Sequence, residues 1–224
     1  MATKVDQKGV SNMRTSRARC INLASSWILI ILVTVGCLLI LPKRVLAFSD
    51  SEARQALEAA MEYVTLEYHI GGELRQGVAY RFGGQDTISS YTGKIAQGAE
   101  PGKEAGIDAS GLVVNAYRSV YPGLRFVQVG DLGEMIVNDA SSMTLYMWNV
   151  RPLAPEELKP GDLVFFGTEG SGINGVALYA DQQDHLMQIV TASQSQGKVV
   201  VTRVRVGGDY WNRSFAGAGR LIKR

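Results

Sequence analysis

Residues 105–123, AGIDASGLVVNAYRSVYPG, have the form of a helix start built to present a reactive group, and that group is missing. Asp108 is placed to cap the helix, and Ser110-Gly111 lets its first turn approach another backbone closely. Leu112, Val113, Ala116, Tyr117 and Val120 share one buried stripe, and Pro122-Gly123 stops it. A thiol at such a start would be acidified by the free N–H groups and the helix dipole. Position 109 is alanine and has nothing to ionise. Ser110 is next door, but one step along a helix turns a side chain by about 100°, and no base stands beside it in sequence. The two histidines are His69, expected at the end of the first helix, and His185, expected in a solvated hairpin tip. The two cysteines, Cys20 and Cys37, both precede residue 48. The stretch 48–224 therefore has no disulfide, no thiolate metal site and no thiol nucleophile. Two distant histidines and scattered carboxylates show no metal-ligand spacing, so no metal or cofactor is expected.

The elements that must position these residues read as follows. Residues 49–69 predict a helix, capped by Ser49 or Asp50, with a stripe of Ala53, Leu57, Ala60, Met61 and Val64, ended by Gly71-Gly72. GVAYRFGG, 77–84, is a short turn-bounded segment that brings Tyr80 toward the 105–123 helix. The polar, glycine-containing stretch 85–106 predicts a loop, placed at the rim of a cleft. SSMTLYMWNVRPL reads as a helix passing into an extended piece. LKPGDLVFFG, 158–167, reads as a Pro-Gly turn and then an apolar strand, further strands follow at 175–181, 186–193 and 199–206, and the closing DYWNRSFAGAGRLI predicts a last strand. Helices first and an antiparallel meander after make the class α+β.

Charge divides the chain. Residues 1–26 hold five Lys/Arg against Asp6 alone, whereas 48–224 hold 16 Lys/Arg against 20 Asp/Glu. A mildly acidic body gives no reason to expect nucleic acid as a partner. Residues 27–41, WILIILVTVGCLLIL, are uncharged and apolar, and Ile21 to Leu41 just supplies the roughly 20 residues a bilayer needs. The basic flank keeps the start cytoplasmic and sends the rest out. VLA at 45–47 offers a signal-peptidase pattern with cleavage after Ala47. Two readings of 27–47 stay open, a cleaved signal peptide or a membrane anchor, and the start is either Met1 or Met13. The expected organisation is a basic region at 1–26, the leader or anchor at 27–47, and one domain at 48–224, periplasmic or otherwise extracytoplasmic.

YRFGG, GIDASGLV, LKPGDLVFF, GVALYA, IVTAS and YWNRSFAGAGRLI run in the order of the NlpC-type cell-wall endopeptidases. The chain resembles that family over roughly residues 50–224, and PGDLVFF is the most specific piece. The resemblance implies a papain-like fold in which a helix carries a cysteine at its N-terminus and packs on a small antiparallel sheet. That sheet carries the histidine and a third polar residue that orients it, and the enzymes cut the peptide stems of peptidoglycan. Carried over position by position, the cysteine falls on Ala109, the histidine on Gly175 and the third residue on Thr191. An amide hydrolase of this kind needs thiolate, imidazole and orienting partner together. The resemblance thus implies a member without that chemistry.

The candidate binding residues are Tyr80, Asp108 and Ser110. Tyr80 matches a cleft tyrosine of the family and equally reads as core filler. Asp108 reads first as a helix cap, Ser110 and Gly111 as packing and turn residues. Of Trp148, Tyr210 and Trp211, two read as core anchors. Three functions compete. The first is an exported, non-catalytic domain that binds peptidoglycan stem peptides or a related envelope peptide. The second is a structural or regulatory partner in an envelope protein complex. The third is a hydrolase with a rearranged site using Ser110 with Thr191 or Asp108.

Overall fold

The computed structural model describes residues 46–168, 170 and 172–224; the readings made of 1–45, the leader or anchor and both cysteines among them, lie outside the described residues. Among the described residues no helix is long and apolar enough to cross a membrane.

Helix α1 (Asp50–Thr65) opens with a capping box: Ser49 Oγ accepts from the Glu52 N–H, and the Glu52 carboxylate accepts from the Ser49 N–H. Its buried face is Ala53, Ala56, Ala60 and Tyr63, while Leu57, Met61 and Val64 are half-buried. Small residues on that face let α1 lie close against α3 (Ala109–Val120), the helix of the opening stretch. The helix predicted to run to residue 69 ends at Thr65, and His69 lies exposed in a hairpin, β1 (Glu67–Ile70) and β2 (Glu73–Gln76). Gly71 and Gly72, both at positive φ, make its turn rather than a helix stop. Tyr68 draws the chain out of the helix by stacking edge-on against Tyr91, and the two hydroxyls hydrogen-bond at 2.8 Å.

Tyr91 also overturns the loop predicted at 85–106. It is fully buried, and around it forms α2 (Ile88–Ala96), capped by Thr87 Oγ1, which accepts from the Ser90 N–H.

Beyond α3, β3 (Phe126–Gly130) pairs with β4 (Gly133–Val137) as a separate ribbon, followed by α4 (Ser142–Trp148) and β5 (Val150–Leu153). The main sheet is antiparallel, in the order β5, β10 (Phe215–Leu221), β6 (Leu163–Thr168), β7 (Gly172–Gln183), β8 (Leu186–Ser193), β9 (Lys198–Arg205). Strands β6, β7, β8 and β9 form the meander. After α5 (Asp209–Ser214), β10 returns between β5 and β6. One face of the sheet packs on α1 and α3 through Phe165, Val176, Leu178, Val190 and Leu221. The other carries a smaller cluster in which Trp211 stacks on Phe215, with centroids 4.0 Å apart. Trp148 is half-buried and Tyr210 is exposed.

The PGD turn pins the helices to the sheet. A Cβ on Gly161 would sit 1.9 Å from the Ala53 carbonyl oxygen, so only glycine lets the turn meet α1. Tyr117 of α3 donates to the Gly161 carbonyl at 2.7 Å. Asp162 is fully buried and takes two hydrogen bonds from Arg220 of β10, at 2.6 and 2.9 Å. Arg220 also reaches Asp50 at the start of α1, whose other carboxylate oxygen accepts from Lys159 at 2.6 Å. Three elements that frame the site thus share one charge network.

Candidate functional site

Asp108 caps α3: its Oδ1 accepts from the Gly111 N–H at 2.7 Å and from the Ser110 hydroxyl at 2.9 Å. The first turn lies against the YRFGG segment, because the Asp108 N–H donates to the Gly84 carbonyl at 2.9 Å. A Cβ on Gly111 would stand 2.5 Å from that same oxygen, which is why this turn carries Ser-Gly. The YRFGG segment is stitched on both sides. The Arg81 N–H donates to the Ile107 carbonyl, and the Tyr80 N–H donates to Gly197 in the β8–β9 turn. Backbone bonds alone therefore fix Tyr80 beside the start of α3.

Tyr80, Asp108, Ala109, Ser110, Gly175 and Thr191 line one cleft of about 1140 Å³. The helix start and the two sheet positions that the family resemblance aligned thus share one space. Each is partly exposed. Burial raises the Tyr80 phenol pKa, with the nearby Asp108 charge adding to it, and its hydroxyl makes no hydrogen bond among the described residues. Thr191 Oγ1 donates across the sheet to the Val176 carbonyl at 2.9 Å. A Cβ at Gly175 would meet nothing nearer than Phe166 Cβ at 3.5 Å, an ordinary contact, so the strand has room there for a side chain it lacks.

Several partners expected at the cleft are elsewhere. None of residues 85–104 lines it, which corrects their placement at the rim: Tyr91 anchors α2 in the core instead. Neither His69 nor His185 lines it, and both are exposed. Ser110 spends its proton on Asp108, and no imidazole lines the cleft to act as base toward it. Other lining residues were not singled out in sequence as site residues: Phe82, Ser141, Met143 and, from β9 and α5, Arg203, Arg205 and Tyr210. Phe82 sits two residues from Tyr80 in YRFGG and could have been marked with it. The β9 and α5 residues had no signal, since their proximity depends on how the meander curls.

The NlpC/P60 family model matches residues 77–220. Over 118 residues the chain is 30% identical to the murein DD-endopeptidase MepH of Escherichia coli strain K12, a stretch that is 52% of this chain and 37% of that protein. Among solved structures, an NLP/P60 family protein of Staphylococcus aureus Mu50, described as similar to lipoprotein, aligns with a TM-score of 0.46 and 17% identity over 81% of this chain and 45% of that one. An NlpC/P60 family protein of Bacillus cereus ATCC 10987 aligns with a TM-score of 0.45 and 16% identity over 80% and 42%. The chain spans less than half the length of each of these relatives. With the family model covering well over half its length, from the YRFGG segment through β10, this chain belongs to the NlpC/P60 family.

Proposed function

We propose that this chain is an extracytoplasmic, non-catalytic NlpC/P60 domain whose cleft binds peptidoglycan stem peptides or a closely related envelope peptide. The observation that carries the reading is the joint content of the cleft. Ala109, Gly175 and Thr191 stand where the family resemblance puts cysteine, histidine and the third polar residue, yet the space they line is open. A vestigial site would be expected to fill with side chains, since interiors close-pack. Here Tyr80, Ser110 and backbone groups keep an accessible surface of mixed polarity, which suits a peptide. The relationship to a murein endopeptidase supports a wall-derived ligand. Titration calorimetry of the purified chain with a stem tetrapeptide tests this: binding that is lost in Gly175→Trp supports it, and no heat in wild type overturns it.

A role in an envelope protein complex is favoured by a different observation. The β3–β4 hairpin exposes Val129, Leu132, Met135 and Ile136, with Leu132 fully solvated. Recovery of one defined partner by crosslinking in cells, lost in Leu132→Ser, would establish that role beside the first. The rearranged hydrolase would need a base at Ser110; stem cleavage abolished by Ser110→Ala would replace the binding reading.

A further inference from the structure

The cleft is larger and more aromatic than a few peptide residues require. Pockets that hold drug-sized ligands span roughly 300–1000 Å³, and this one reaches about 1140 Å³. Phe82 lines it with 89% of its surface exposed and no ring neighbour among the described residues. Tyr210 of α5 lines it too, 55% exposed, its ring tilted over Phe166 at 5.8 Å. Neither ring belongs to the buried core: Phe82 makes no ring contact among the described residues, and the α5 anchor is Trp211. The rest of the wall mixes hydroxyls and amides, as in Asn174, Ser193, Gln194 and Thr202, with apolar side chains such as Met143, Ile173 and Val204. Among the lining residues only Asp108, Asp209, Arg203 and Arg205 carry charge, and the signs balance. The Asp108 carboxylate is already engaged by Gly111 and Ser110.

Exposed aromatic faces beside neutral hydroxyls and amides suit a ligand with flat C–H faces and many hydroxyl groups of its own. A pyranose has both. A strongly charged ligand would meet no net countercharge.

We propose that the cleft has an oligosaccharide subsite in which sugar rings pack on Phe82 and Tyr210, beside the peptide. This deepens the stem-peptide reading and rests on it, since one wall polymer carries both chemistries. The experiment titrates the full chain separately with chitotetraose and with a stem tetrapeptide, in wild type, Phe82→Ala, Tyr210→Ala and Phe82→Trp. Chitotetraose binds wild type; each alanine variant weakens it about tenfold, as loss of an aromatic anchor does. Phe82→Trp retains it. Each alanine variant weakens sugar binding more than peptide binding, and the melting temperature of Phe82→Ala is unchanged because its ring is 89% exposed. Peptide binding without sugar binding, sugar binding indifferent to both alanine variants, or an equal loss for sugar and peptide overturns the subsite and leaves the peptide reading standing. Binding of neither ligand overturns both.

Discussion

Removing the Asp162 carboxylate, in Asp162→Ala, tests the frame that holds the cleft. Asp162 is 0% exposed and Arg220 is 7% exposed. The variant leaves Arg220 with Asp50 alone, a residue more than half of whose side chain is exposed, and deprives the Lys159 N–H of its acceptor at 2.8 Å. Breaking a buried pair by deleting one partner costs about 3–5 kcal/mol, and one lost hydrogen bond about 1 kcal/mol. We take roughly 4 kcal/mol as the expected loss, a large part of the ~5–15 kcal/mol that holds a typical domain together. For a body of this size each kcal/mol moves the melting temperature by about 2–4 °C, so circular dichroism should record a fall of roughly 8–16 °C. The double variant Asp162→Leu/Arg220→Met should be more stable than Asp162→Ala, because no charge is then stranded. A shift under 2 °C, or a double variant worse than the single, would refute the claim that this network joins α1, the PGD turn and β10. Peptide binding by the folded fraction at low temperature should persist, since neither Asp162 nor Arg220 lines the cleft.

Other outcomes follow from the same geometry. Asp108→Ala removes the α3 cap and should cost about 0.5–2 kcal/mol in urea unfolding, with Asp108→Asn recovering most of it. Gly111→Ala and Gly175→Ala separate two glycines: the first drives a Cβ to 2.5 Å from Gly84 O and should destabilise by more than ~2 kcal/mol, the second should be neutral to about 1 kcal/mol stabilising. The Glu52 carboxyl is held down to about 2, first by Lys223 and then by the Ser49 N–H and hydroxyl. Its folded pKa lies below the ordinary 4.5 of a glutamate, so its contribution is present above about pH 4.5 and is lost as pH falls toward 2. Acid unfolding of Glu52→Gln should be flatter than wild type over that window.

Much of this fold was legible because local rules and tertiary packing agree. Asp108 as cap and the Leu112–Tyr117 stripe set α3 at the place read from sequence. The capping box at Ser49 started α1, and β8 has the predicted bounds. What escaped depends on distant contacts. The chain leaves α1 after Thr65 because Tyr68 meets Tyr91, 23 residues on. The serine- and glycine-containing 88–96 segment has weak helix propensity and folds as α2 around that same tyrosine. At the cleft, the family resemblance aligned 109, 175 and 191, while Tyr210 and the β9 residues enter through sheet curvature that no local pattern encodes.

The central claim is a cleft that binds but does not cut. Incubating the full chain with a disaccharide-tetrapeptide from peptidoglycan, followed by mass spectrometry of the ligand and protein-observed NMR of the complex, tests both halves together. The account predicts shifts of the Tyr80, Ala109 and Gly175 amides with the ligand recovered intact. Fragmented ligand, or shifts confined to residues outside the cleft, would contradict it.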